Sequence, residues 1–149
     1  MQSNMGKIIS INISQRKGEK KTSVQSAMLK ENHGIVGDAH AGDWHRQISL
    51  LATESVDQMR GKGVELHPGD FAENLTIEGI DLKNLKMGQR LGVGPVVILE
   101  ITQIGKECHD GCAIKKMVGD CVMPREGVFA KVIKGGEIRT DDTIIQQGK

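Results

Sequence analysis

The densest group of reactive side chains is Cys108, His109, Cys112 and Cys121, with Lys106 just ahead of it. A thiol flanked by cations has a lowered pKa and a larger thiolate fraction, and the thiolate is the form that attacks electrophiles, carries persulfide sulfur or ligates a soft metal. Two other uses compete for the same residues. Three Cys and a His could close a tetrahedron around structural zinc, but Cys108 and Cys112 are separated by three residues rather than two, and no second Cys pair follows. Cysteine also packs as a small buried hydrophobe without any chemistry.

His40, His45 and Arg46 form a second group, with Asp38 and Asp43, in the glycine-rich stretch GIVGDAHAGDWHRQISLL. Imidazole, guanidinium and backbone N–H groups on such a loop can hold an anionic ligand. They can equally well make turn hydrogen bonds in a solvated loop. The stretch lacks the Lys-Ser/Thr ending of a phosphate-binding loop, and no G-x-G-x-x-G follows a strand, so the standard nucleotide motifs do not apply. A third segment, GDFAENLTIEG from Gly69 to Gly79, sets Phe71, Glu73 and Asn74 into an apolar run. Polar residues in such a place either satisfy buried backbone groups or line a pocket.

The elements that must position these groups read as short strands. Lys7 to Ile13 alternates, with Ile9, Ile11 and Ile13 on one face and Ser10 and Asn12 on the other, the pattern of a half-buried strand. Val24 to Leu29 is a weaker strand. In Arg46 to Leu51, Ile48 and Leu50 alternate against Gln47 and Ser49. Leu75 to Ile77, Arg90 to Val93, Val96 to Ile104, Val128 to Ile133 and Glu137 to Arg139 complete the set. Gly135 and Gly136 have the two-glycine pattern of a tight hairpin between the last two. One helix is expected over Thr53 to Arg60, with Thr53 as N-cap and Gly61 as terminator. Regularly spaced strands with one or two short helices predict a mostly β fold, a largely antiparallel barrel or sandwich.

Composition narrows the function classes. The 149 residues match a single domain, residues 1–149. Lys and Arg total 20 against 19 Asp and Glu, so the net charge of +1 gives no basic field for a phosphate backbone. The only large rings are Trp44, Phe71 and Phe129, too few for base-stacking platforms, and nucleic acid is not an expected partner. Nothing approaches the roughly 20 apolar residues of a membrane span, and the start has no leader-like pattern, so a cytoplasmic protein without membrane contact is expected. With 19 Gly and 3 Pro, tight turns should be numerous.

Taken in order, these segments resemble the MOSC domain, the C-terminal domain type of molybdenum cofactor sulfurases, here as a small stand-alone member. The resemblance runs through GIVGDAHAG and HRQISLL, then GDFAENLTIEGIDLKNLKMGQRLGVGPVVILEITQ, then the cysteine, then REGVFAKVIKGGEI. The family's signature cysteine follows a strand that ends here in LEITQIGKEC, which places that role on Cys108. Many relatives read Pro-Arg shortly before it, where this chain has Ile104 and Gly105. The resemblance implies a β-barrel with a pocket for the molybdenum cofactor, a pterin with dithiolene and phosphate holding Mo or W. Cys108 would then be a persulfide carrier or a thiolate ligand to the metal. His40, Arg46 and Lys106 would hold the anionic cofactor, and Glu73 and Asn74 would shape its pocket. Sulfur would come from a separate cysteine desulfurase, or electrons from a partner reductase. The alternatives are a complete molybdoenzyme reducing N-hydroxylated substrates and a non-catalytic zinc-stabilised β-domain.

Overall fold

The computed structural model describes residues 5–16, 21–39, 41–54, 57, 73–104 and 127–147. Among them run β1 (Met5–Ile13), β2 (Thr22–Val24), β3 (Ser26–Lys30), β4 (Gly34–Ile35), β5 (Ile48–Ala52), β6 (Leu75–Glu78), β7 (Arg90–Val93), β8 (Val97–Ile104), β9 (Val128–Lys134), β10 (Gly136–Arg139) and β11 (Thr143–Gln147). A 3-10 turn covers Leu82–Asn84. Thr53, Glu54 and Asp57 are helical; the rest of the helix expected over 53–60 lies outside the described residues.

Seven strands close into a barrel in the order β1-β11-β7-β8-β9-β5-β6 and back to β1. The closing seam pairs Met5 with Ile145 and Lys7 with Thr143. Within the ring only β5 and β6 run parallel. Closure removes the unpaired edges that an open sheet would expose. Outside the ring, β2 pairs with the C-terminal half of β1, and β10, β3 and β4 form a small second sheet. The core is aliphatic: Ile8, Ile11, Leu50, Leu75, Ile77, Leu91, Leu99 and Val128 are all inaccessible to solvent. Burying each such side chain contributes about 1.5–3 kcal/mol.

Two expectations need correction. Gly135 and Gly136 do not make a hairpin, because β9 pairs with β8 and β5 whereas β10 leaves the barrel to pair with β3. The glycines serve close approach: a Cβ on Gly135 would lie 2.4 Å from the Leu29 carbonyl oxygen, and one on Gly136 2.4 Å from Val96 Cγ2. The second correction concerns alternation. Ser10 and Asn12 are buried rather than on a solvent face, as are Gln47 and Ser49. Along β1 a register shift relative to β6 falls between Ile8 and Ser10, which lets Ile8 and Ile11, three apart, both enter the core. The polar residues are covered in turn by β2, β6 and the glycine-rich loop. Sequence periodicity also passed over β4 and β11, and it ran β2 and β3 together across Gln25, where the chain changes sheets.

Candidate functional site

One transverse row of the barrel leads to two of the polar residues that sequence reading singled out, Glu73 and Asn74. Gln103 on β8 is the cross-strand partner of Phe129 on β9, and Phe129 is the partner of Ser49 on β5. From Ser49 the row continues to Asn74, just ahead of β6. The Asn74 side-chain oxygen accepts from the Ser49 backbone N–H at 2.9 Å and its Nδ2 donates to the Asn12 carbonyl at 3.1 Å. The Asn12 Nδ2 donates to the Glu73 carbonyl and to Thr76 Oγ1, and the Thr76 hydroxyl donates to Glu73 Oε2 at 2.7 Å. Asn12, Glu73 and Asn74 are fully buried, and the network binds β1, β5 and β6 together through polar side chains. Buried polar groups are tolerated when paired in this way.

The glycine-rich loop is tied onto this row. Asp38 Oδ1 accepts from Lys21 Nζ at 2.8 Å and from the Ser14 backbone N–H at 3.1 Å, and both charged side chains are completely buried. Burial alone would push the Asp38 carboxyl up, but the Lys21 ammonium, the Ser14 N–H and the Asn74 side chain hold it below the usual carboxylate value. Asp43 accepts from Asn32 Nδ2 at 3.0 Å. Gln47, fully buried, donates to Asn32 Oδ1 and accepts from the Val132 N–H, pinning the loop to β9. Gly34 makes the close turn possible, with φ +120° and the Gln47 carbonyl oxygen 2.6 Å from where a Cβ would sit. Neither aspartate of the second group is therefore turned toward Arg46 as a counter-charge.

His45 and Arg46 do come together. The half-buried Arg46 guanidinium lies over the Phe129 ring at 5.3 Å and the Trp44 ring at 6.0 Å. Its Nε donates to Gln103 Oε1 at 2.9 Å. Among the described residues that is its one hydrogen bond, and no carboxylate pairs with it. His45, exposed, contacts the same Gln103 oxygen through Nε2 at 3.0 Å and packs edge-on against Trp44. The arrangement is a cation held against two rings with a hydrogen-bonding edge unused among the described residues, which suits an anionic guest. Sequence reading missed Trp44, Gln103 and Phe129 as parts of the site, and Lys21 as the partner of Asp38. The signal available was the scarcity of rings: both described aromatic side chains of the chain meet at Arg46.

His40, Lys106 and Cys108, like Phe71, Cys112 and Cys121, lie outside the described residues. Among the described residues no three His, Cys, Asp or Glu side chains gather as metal ligands. No helix among them is long and apolar enough to cross a membrane.

The sequence model of the MOSC domain matches residues 37–145, from the glycine-rich loop to the closing strand of the barrel. The chain belongs to the MOSC domain family. This MOSC domain shares its fold with the crystal structure of the YuaD protein from Bacillus subtilis, with a TM-score of 0.80 at 21% identity over 97% of each chain. YiiM from Geobacillus stearothermophilus superposes with a TM-score of 0.72 at 19% identity, over 95% of this chain and 75% of that one. YiiM from Escherichia coli gives 0.68 at 17% identity, over 100% and 71%. At such identities the likeness speaks for the fold. No curated protein matches the sequence.

Proposed function

We propose that this MOSC domain serves molybdenum or tungsten cofactor metabolism, binding the anionic metal-pterin and using the Cys108 thiol as a persulfide carrier or metal ligand. The observation that carries the reading is Arg46, a half-buried cation with no carboxylate partner among the described residues, held against two rings beside the last residues of β8. Cys108 follows Ile104, the end of that strand, by four residues. The donor set suits such a group: a guanidinium fork for phosphate oxygens and a soft sulfur for the metal or for a transferred sulfur atom. The cofactor, when bound, supplies the redox-active metal centre.

The chain's own residues bind and orient. Arg46 neutralises and orients the anionic part, with His40 and Lys106 as further donors to it. Glu73 and Asn74 hold the wall formed by β1, β5 and β6 through their buried hydrogen bonds. Cys108 carries sulfur delivered by a separate desulfurase, or ligates the metal in a unit supplied with electrons by a partner reductase.

Native mass spectrometry of protein purified without oxygen from a molybdenum-replete host tests this. An added mass matching a metal-pterin or one extra sulfur is expected in wild type. The sulfur adduct should vanish in Cys108→Ala, and cofactor occupancy should fall about tenfold or more in Arg46→Gln, the loss expected for a charge-assisted bidentate contact. A Cys108→Ala protein carrying as much sulfur and cofactor as wild type sinks the reading.

A further inference from the structure

Arg46 and His45 converge on a single atom. Gln103 Oε1 lies 2.9 Å from Arg46 Nε and 3.0 Å from His45 Nε2. The Arg46 Nε–H can only donate, so the atom it meets is the amide oxygen of Gln103. An amide oxygen cannot donate, so in this contact His45 Nε2 is the donor. Gln103 therefore fixes both the direction of a guanidinium and which imidazole nitrogen faces it.

An irregularity in β8 allows this. Opposite β9, Ile101 pairs with Ala130 and Gln103 with Phe129, so Thr102 is an extra residue on the β8 side. A bulge of this kind re-aims the side chains that follow it. Thr102 Oγ1 donates to the His45 carbonyl oxygen, and the next residue, Gln103, takes the side chains of both His45 and Arg46. Two consecutive β8 residues thus clip the end of the glycine-rich loop from its backbone and from its side chains. Phe129, the cross-strand partner of Gln103, supplies the ring against the guanidinium. With Nε tied and rings alongside, what Arg46 has left to offer among the described residues is its terminal Nη1 and Nη2 edge, the fork that matches two oxygens of one oxyanion.

We propose that Gln103 is a positioning residue that aims this terminal edge of Arg46, with His45 beside it, at a tetrahedral oxyanion or phosphate ester. The proposal rests on the reading of Arg46 as an anion-binding group, and the two can fail separately. Trp44 is the chain's single tryptophan and packs on both His45 and Arg46, so its fluorescence reports directly on ligands at this point.

Two measurements on the full chain test it. Proton exchange of the Arg46 Nε–H, assigned by its loss in Arg46→Lys, needs no ligand. Titration with inorganic phosphate, followed by Trp44 fluorescence, reads the binding. Gln103→Leu should speed Nε–H exchange and weaken phosphate binding, each about tenfold, the scale of one lost hydrogen bond to a charged group. Gln103→Glu should keep the Nε–H protected while its carboxylate neutralises Arg46 and abolishes phosphate binding. If Gln103→Leu does not fold, Gln103→Asn, which withdraws the oxygen by one methylene, should show the same faster exchange. Equal exchange in wild type and Gln103→Leu overturns the positioning role, and so does faster exchange with unchanged phosphate affinity. A wild type with a protected Nε–H and no response to phosphate overturns the anion reading of Arg46 and leaves the positioning by Gln103 standing.

Discussion

The pair of Lys21 and Asp38 is a full charge couple removed from water, and its energetics are asymmetric. Breaking a buried pair from one side strands the other charge, which costs about 3–5 kcal/mol, whereas replacing both by apolar groups is far cheaper. Asp38→Asn is therefore expected to lower the urea-unfolding free energy by about that amount, and Lys21→Met with Asp38→Leu to be more stable than Asp38→Asn alone. The pH dependence has a defined sign. The folded carboxyl titrates below its unfolded value, which is about 3.9, so its contribution is complete above that pH and is lost as pH falls through the lower, folded value. Unfolding free energies measured from about pH 6 to pH 3 should fall more steeply in wild type than in Asp38→Asn. A parallel pair of curves would show that folding does not lower the Asp38 carboxyl below its unfolded value. In the sequence Lys21 is one of several charged residues in the run from Arg16 to Lys21. Its burial depends on Asp38, seventeen residues on, and nothing in the local pattern announces that pairing.

At the scale of elements, β1 is the most burdened strand, since it pairs with β11 and β2 along one side and with β6 along the other. Gly6 makes the crowding possible: a Cβ there would lie 2.1 Å from the Glu78 carbonyl oxygen, a backbone atom that cannot swing aside. Gly37 is the opposite case, with φ +92° and no atom within 4 Å of where its Cβ would be. Gly6→Ala should cost about 1–3 kcal/mol by prying β1 from β6. Gly37→Ala should cost about 1–2 kcal/mol by backbone strain alone. The two are separable by protection of the β1 and β6 amides from hydrogen exchange, which Gly6→Ala should reduce and Gly37→Ala should leave as in wild type. Most of the strands, though not β4 and β11, were legible because their apolar residues are mainly β-branched or leucine and stand between glycines. The irregularities in β1 and β8 were not, because a bulge is defined by the partner strand's register and leaves no mark in the strand's own sequence.

The whole molecule depends on one seam. β11 joins β7 to β1, and Ile144 stands between Gly6 on one side and Val93 on the other, with no solvent exposure, while its neighbour Ile145 is 46% exposed. Ile144→Ala is expected to lower stability by about 2–5 kcal/mol, and Ile145→Ala to stay within about 0.5 kcal/mol of wild type. Equal shifts in thermal midpoint for the two would mean that the barrel does not close through this strand. The sequence by itself determined the class of fold and the MOSC family, because strand periodicity, glycine spacing and the order of motifs are local properties of the chain. It also brought Arg46 forward, as a cation on a glycine-rich loop. Tertiary structure alone decided that Trp44 and Phe129 flank that cation, that Gln103 aims it, that Asp38 serves Lys21 rather than the site, and that Glu73 and Asn74 sit in a buried network. Each of those outcomes joins residues from distant segments of the chain, strands and loops alike, and such contacts are set by barrel register and closure.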